Sequence, residues 1–388
     1  MYREIKIEKL AYGGEGIGYL DGSGAVPGGG KVWFVENALP GETVAAELLQ
    51  EKKNFARART LRINTPSPHR VSPPCAYIKQ CGGCQYQHLD YAEEARWKEI
   101  QVREHLERNL KMDPALVRPI VPSSREYGYR SSITLHQAED GRGLVAKDNK
   151  TILPIENCLL ADSRLGEIFN KPWTFKKAES VTFRVSGPGK VYCSVDDSFF
   201  EIEIGVTSLI THSRAFFQNN LEITEKIAGH LAGWLKDLNP GIFLDLYSGV
   251  GTFGFLSAGD ARLAFFEDNP KSIEALKKNQ ERFRRNAFIE VGRAEKTFAG
   301  WFEREKPENP FIFLDPPRTG LEAPLSYYIG GLKGVQGIGY LSCHLGSLTR
   351  DLGILLKSGN FQIREIIPFD MFPRTKHIEI LALLVPRQ

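Results

Sequence analysis

Along residues 1–62, short apolar runs alternate with turn signals: Ile5 to Leu10, the glycines from Gly13 to Gly18, Val32 to Val35, Pro40-Gly41, then Val44 to Leu49. Runs of this length, broken by Gly and Pro, predict a small OB-like β-barrel. From Asp90 to Leu110 the period becomes that of a long amphipathic helix with Glu, Arg and Lys on its polar face. Past residue 213, helical patterns alternate with wholly apolar strands, as in a doubly wound α/β sheet. The expected strands include Phe243 to Tyr247, Leu263 to Phe266, a run ending at Leu314, Gly337 to Leu341, Phe361 to Phe369 and His377 to Leu384. The expected division is a barrel over 1–62, a small central α+β domain over 63–213 and a Rossmann-like α/β domain over 214–388.

Composition changes this picture in two places. The net charge of +3 is too small to imply a nucleic-acid partner, but its distribution is uneven. Between Lys52 and Leu89 stand seven Lys/Arg (Lys52, Lys53, Arg57, Arg59, Arg62, Arg70, Lys79) and no Asp or Glu, a patch expected to meet phosphates. Mixed with Phe55, its first part has the basic-aromatic character of oligonucleotide-binding barrels. No apolar run approaches the ~20 residues of a membrane span, and the start Met1-Tyr2-Arg3-Glu4-Ile5-Lys6 lacks an apolar leader. A cytoplasmic location is therefore expected, where clustered cysteines are metal ligands or catalytic groups rather than disulfides.

Three thiols fall within ten residues in Cys75-x5-Cys81-Gly82-Gly83-Cys84, and a fourth stands at Cys158. Four thiolates suit an iron-sulfur cluster or structural zinc; the wide first spacing and the Gly82-Gly83 backbone lean towards iron-sulfur. Cys193 sits alone in a strand-like run and reads as a core residue. In Tyr127-Gly128-Tyr129-Arg130, aromatics beside a cation could stack on unpaired bases.

The α/β region carries the reactive groups. The strand ending at Tyr247 runs into Ser248-Gly249-Val250-Gly251-Thr252-Phe253, where glycines admit a ligand close to the turn, and Glu267 lies 18 residues beyond Gly249, near the spacing of a ribose-binding carboxylate. Asp315-Pro316-Pro317-Arg318 puts a carboxylate on a stiffened backbone at a strand end. Another strand delivers Ser342-Cys343 to the same edge. Carbon 5 of uracil is too weak a nucleophile to take a methyl group from a sulfonium unaided. A thiolate adding at carbon 6 activates it, and a base must then remove the carbon 5 proton. Cys343 suits the first role and Glu379 the second. Cytosine carbon 5 shares the first step, but enzymes acting there carry a further cysteine beside the Asp-Pro motif, absent here. A catalytically silent RNA-binding protein is the remaining alternative, and the presence of both Cys343 and Glu379 speaks against it.

Taken together, these motifs resemble the RNA uracil-5-methyltransferase family, in particular the branch acting on 23S ribosomal RNA that joins a TRAM barrel, an iron-sulfur cluster and a class I methyltransferase domain. The resemblance is carried by Ala38-Leu39-Pro40-Gly41-Glu42, the cysteine motif, Phe216-Phe217-Gln218-x-Asn220, Asp245 to Phe253, Asp315-Pro-Pro-Arg-x-Gly-Leu321, Ser342-Cys343 and Met371-Phe-Pro-x-Thr-x-His-Ile-Glu379. It implies S-adenosyl-L-methionine as methyl donor, held by Gln218, Tyr247, Gly249, Gly251, Thr252, Glu267 and Asp315. By the same resemblance Cys343 is the nucleophile, Glu379 the base, and Cys75, Cys81, Cys84 and Cys158 hold a [4Fe-4S] cluster. The implied partner is RNA, ribosomal in the first instance and transfer RNA as alternative, with no membrane and no obligate protein partner. One departure follows the nucleophile: His344-Leu345-Gly346-Ser347 stands where the family has Asn/Asp-Pro and then Thr. An imidazole there is expected to perturb the thiol.

Overall fold

The alternating N-terminal runs close on themselves. In the computed structural model, which describes residues 2–20, 31–138, 141–171 and 179–387, strands β1 (Tyr2–Leu10), β2 (Gly16–Leu20), β3 (Val32–Glu36), β4 (Thr43–Glu51) and β5 (Phe55–Thr65) form a closed barrel in the order β1-β2-β3-β5-β4. Every second side chain turns inward, so Ile5, Ile7, Trp33, Val35, Val44, Ala46, Ala56 and Ala58 make its core. Gly16 and Gly18, expected in a turn, lie instead in β2. A Cβ at Gly18 would stand 2.3 Å from the Lys6 carbonyl oxygen, so the strand crosses its neighbour where only glycine fits.

The basic stretch on β5 is less free than its sequence window suggested. Arg57 pairs with Glu15 and Arg59 with Glu47, each at 2.6 Å, acids that come from outside the window. Arg70 grips the buried Glu42 with both arms, Nε to Oε1 at 2.6 Å and Nη2 to Oε2 at 2.9 Å, while the Leu39 and Ser67 N–H groups donate to the same carboxylate. Burial alone would raise the Glu42 pKa, but these donors outweigh it and hold the acid below its usual 4.5. Replacing Arg70 with methionine leaves that charge buried and unpaired, so the denaturant midpoint should correspond to a loss of about 3–5 kcal/mol at neutral pH. A lowered folded-state pKa gives stability that is fully present above 4.5 and lost as pH falls through the folded value. The penalty should therefore shrink in acid; a penalty unchanged by pH would rule out this account.

The chain packs as two compact units, Met1–Gln101 with Val145–Leu153 and Arg374–Lys376, and Val102–Leu144 with Pro154–Pro373 and His377–Gln388. In the first unit the cysteine segment is laced by its backbone: Gly82 N–H donates to Val145 O at 3.2 Å, and Gln85 and Tyr86 N–H both donate to Arg374 O. Helix α1 (Tyr91–Leu110) supplies Glu94, which takes Lys98 at 2.8 Å and the Arg374 N–H at 2.7 Å. The short strand β8 (Ile152–Pro154) follows β6 (Ser132–Ala138) and β7 (Gly141–Val145) along the chain.

In the second unit, β6 is paired with β7 on one side and β9 (Ser180–Val185) on the other, with β10 (Val191–Cys193) beyond β9. A hairpin, β11 (Phe199–Ile204) and β12 (Thr207–His212), leads to α2 (Leu221–Leu238), which begins at the Asn220 cap. The doubly wound part then runs β13 (Ile242–Leu246), α3 (Thr252–Ser257), β14 (Arg262–Glu267), α4 (Pro270–Arg282), β15 (Ala287–Val291), α5 (Ala294–Glu305), β16 (Pro310–Leu314), α6 (Ala323–Gly331), β17 (Gly337–Ser342), α7 (Leu345–Leu355), β18 (Phe361–Phe369) and β19 (Glu379–Pro386). Seven strands form one sheet in the order β15-β14-β13-β16-β17-β19-β18. The first five are parallel; β19 is antiparallel to both neighbours. Apolar layers cover both faces, Leu244, Phe266, Ile312 and Ile338 on one side and Phe243, Phe265, Phe311 and Phe313 on the other. That is why the central strands read as unbroken apolar runs. Among the described residues no helix is long and apolar enough to cross a membrane.

Candidate active site

Parallel strands end their carboxyl termini on one edge, and the crevice there is where such sheets bind ligands. At the end of β13 the chain turns sharply: Tyr247 has φ 65°, Gly249 56° and Gly251 82°. Tyr247 and Ser248 N–H both donate to Phe266 O, at 3.0 and 3.1 Å, which pins the turn to β14. The Gly249 N–H donates to Glu267 Oε2 at 2.7 Å, and Glu267 Oε1 accepts from Asp268 and Asn269 at 3.0 and 2.7 Å. Gly249 and the ribose-type carboxylate are thus brought together. A Cβ built on Gly249 meets nothing within 4 Å: the turn opens onto space that a ligand could fill. Gly251 is different, since its Cβ would press on Leu276 and Phe255 at 2.6 Å. It caps α3, whose first residue is the buried Thr252. The Tyr247 hydroxyl donates to Glu295 Oε1 at 2.8 Å, at the start of α5.

Asp315 follows β16 and is reached by Gln218, whose Nε2 donates to Asp315 Oδ2 at 3.3 Å. Burial pushes Asp315 up to about 7. Asp245, buried beneath the turn and accepting the Gly254 N–H, is raised by burial and then by the Asp315 charge; Glu267 is raised by burial too. Three carboxyls thus stand at or beneath this edge, each raised by burial.

Cys343 and Glu379 meet through strand pairing. In the β17–β19 ladder Ser342 stands opposite Ile380. Cys343, the residue after Ser342, and Glu379, the residue before Ile380, therefore lie at neighbouring strand ends, one just past the end of β17 and the other opening β19. Burial pushes the partly exposed Cys343 thiol up to about 12, helped by Glu379 and opposed by Arg318. Glu379, 7% exposed, is raised well above the carboxylate range by burial first and Asp315 second, and Arg318 again opposes.

The sequence missed what braces this edge. Arg318 was visible only as part of a motif, yet its charge acts on both reactive groups. Its loop is anchored from behind by the fully buried Asp351, which accepts from Tyr340 Oη at 2.6 Å and from Leu321 N–H at 2.8 Å. Gly320 has φ 76°, and a Cβ there would lie 2.3 Å from Asp351 Oδ2. An aspartate on the apolar face of a helical pattern was the available signal for this brace. His344 has a structural task besides its place next to Cys343. Its Nδ1 accepts the Ser347 N–H at 3.2 Å, making it the N-cap of α7, and the charges bearing on Cys343 are those of Glu379, Arg318 and Asp315. The imidazole therefore does the capping that Asn or Asp does elsewhere.

Among the described residues no group of three or more His, Cys, Asp or Glu side chains is arranged to hold a metal ion, and the four cysteines Cys75, Cys81, Cys84 and Cys158 fall in both compact units, the first three in one and the last in the other. All four are partly exposed and free of disulfides. Cys193 is likewise partly exposed, and burial raises its thiol.

Residues 2–61 match the TRAM domain, and residues 223–323 match a family described as conserved hypothetical protein 95. An uncharacterized RNA methyltransferase of Listeria innocua is 27% identical over 99% of this chain and 97% of its own length, and one of Thermotoga maritima is 27% identical over 99% of both. The crystal structure of the Pyrococcus abyssi tRNA (uracil-54, C5)-methyltransferase in complex with S-adenosyl-L-homocysteine superposes with a TM-score of 0.69 at 25% identity, covering 99% of each chain. Over nearly its whole length the chain is thus similar to RNA methyltransferases and, in fold, to a tRNA (uracil-54, C5)-methyltransferase, and its N-terminal barrel is a TRAM domain.

Proposed function

We propose that this enzyme transfers a methyl group from S-adenosyl-L-methionine to carbon 5 of a uridine in RNA. The observation that carries the proposal is the β17–β19 register, which leaves a thiol and a carboxyl at adjacent strand ends beside Asp315. The donor supplies an electrophilic methyl group; everything else falls to the protein. Cys343, as thiolate, adds to carbon 6 and drives the ring electrons to carbon 5, which takes the methyl. Glu379, its own proton given up to solvent before this step, accepts the carbon 5 proton, and the carbon 6–sulfur bond breaks to restore ring and thiolate. Asp315, titrating near neutrality and oriented by Gln218, can accept from the uracil N3–H or donate to O4. Gln218, Tyr247, Gly249, Gly251, Thr252 and Glu267 form the donor site in this scheme.

Residues 1–62 then act as the RNA-binding barrel, 63–213 as a central domain and 214–388 as the catalytic domain, working in the cytoplasm. Ribosomal RNA is the proposed substrate on the three-part architecture; the likeness to a transfer RNA enzyme supports tRNA as the second reading. A [4Fe-4S] cluster on Cys75, Cys81, Cys84 and Cys158 is supported by their spacing alone, and no chemical step passes through it. Anaerobic purification with an absorption spectrum would decide its presence. The function itself is tested by mapping 5-methyluridine in total RNA from a strain lacking this protein: one uridine in ribosomal RNA should lose its methyl group. Loss of 5-methylcytidine instead would overturn the proposal, and a site in tRNA would move the substrate.

A further inference from the structure

Glu379 makes no side-chain hydrogen bond among the described residues. A base without a partner is aimed by its backbone alone, which the strand ladder holds on one side and the loop before it on the other. That loop leaves β18 at Phe369, the residue paired with Glu379, and returns at Glu379. Its first turn is buried and tied at three points. Asp370 N–H donates to Val121 O at 3.0 Å, Asn220 Nδ2 donates to Met371 O at 3.3 Å, and Tyr129 Oη donates to Pro373 O at 2.9 Å. Asn220 and Tyr129 are 2% and 6% exposed, so water does not compete for these bonds.

Asn220 also faces the other half of the site. Its Oδ1 accepts the Ile223 N–H as the cap of α2, and its Nδ2 further donates to Ser123 Oγ, both at 3.3 Å. Two residues earlier stands Gln218, whose amide reaches Asp315 and whose carbonyl is held by Ser131 Oγ at 3.3 Å. We propose that Asn220 and Tyr129 are positioning residues for proton removal, holding the Met371–Pro373 segment so that Glu379 stays in register with Cys343. The proposal rests on the uracil-5 reading above.

The two ties can be cut one at a time. Asn220→Ser keeps an N-cap oxygen for the Ile223 N–H without burying a charge and loses the donor to Met371 O; Tyr129→Phe removes one hydroxyl. The assay uses an RNA transcript made with [5-2H]uridine that the wild-type enzyme methylates, with Glu379→Gln as reference. Both variants should melt near wild type, keep KM for S-adenosylmethionine and lose kcat by about tenfold or more, because misplacement by an ångström costs rate steeply. They should also accumulate a covalent enzyme–RNA complex on denaturing gels and show a deuterium isotope effect on kcat larger than wild type. A loss of kcat with neither complex nor isotope effect overturns the positioning role. If Glu379→Gln accumulates complex and neither variant does, the positioning role alone falls. If Glu379→Gln accumulates none, the assignment of the base falls, and the proposal with it.

Discussion

Glutamine at position 379 is expected to stop turnover while leaving RNA attached to the enzyme. Loss of a general base costs about 10²–10⁴-fold, and here the loss falls on one step only. Cys343 can still add to carbon 6, and carbon 5 can still take the methyl group, because neither needs a base at 379. The methylated ring then keeps its carbon 5 proton, and the sulfur cannot leave. Glu379→Gln should therefore give one methyl transferred per enzyme and a complex that survives denaturation. Multiple turnovers at wild-type rate would remove Glu379 from the mechanism. So would a single-turnover rate reduced as much as the steady-state rate, since the base would then act before or during methyl transfer. The glutamine preserves shape at a position where burial already disfavours the ionised carboxyl, so folding should change little.

How much of this was legible in the sequence follows from the range of the interactions. The barrel and the central strands could be read because alternation and unbroken apolar runs are local consequences of one-sided and two-sided burial. Gly249 and Glu267 were legible as a pair because the β13–β14 crossover fixes their separation along the chain. The pairing of Cys343 with Glu379 was not legible from spacing. It depends on β19 entering antiparallel beside β17, a contact across some forty residues that the motifs named but could not register. Long-range ion pairs were missed for the same reason. The stretch from Lys52 looked purely basic because the acids that neutralise Arg57, Arg59 and Arg70 come from Glu15, Glu47 and Glu42, all outside it. The cap that the His344 ring makes on α7 was likewise not legible, because adjacency to Cys343 drew attention to the thiol instead of to the helix start.

Cys343→Ala should abolish methyl transfer altogether, to below about 10⁻⁴ of wild type for a lost covalent nucleophile, with S-adenosylmethionine binding unchanged, since the proposed donor residues lie on other strands. The thiol's surroundings make the point testable without RNA. In the free enzyme burial and Glu379 push Cys343 up to about 12, so alkylation by iodoacetamide should be slow at neutral pH and rise with pH throughout the accessible range. Glu379→Gln removes a carboxyl whose ionised form resists the thiolate, and should shift the alkylation profile to lower pH. Arg318→Gln removes the opposing cation and should shift it to higher pH. Opposite signs from two neighbours of one thiol are hard to obtain by general loosening of the fold, which would expose the sulfur and speed alkylation in both. If both variants react faster, Arg318 is a structural prop and not a source of field. If neither moves the profile while Cys343→Ala still loses activity, the sulfur is activated by the bound RNA alone, and the acidic edge belongs wholly to the methyl donor.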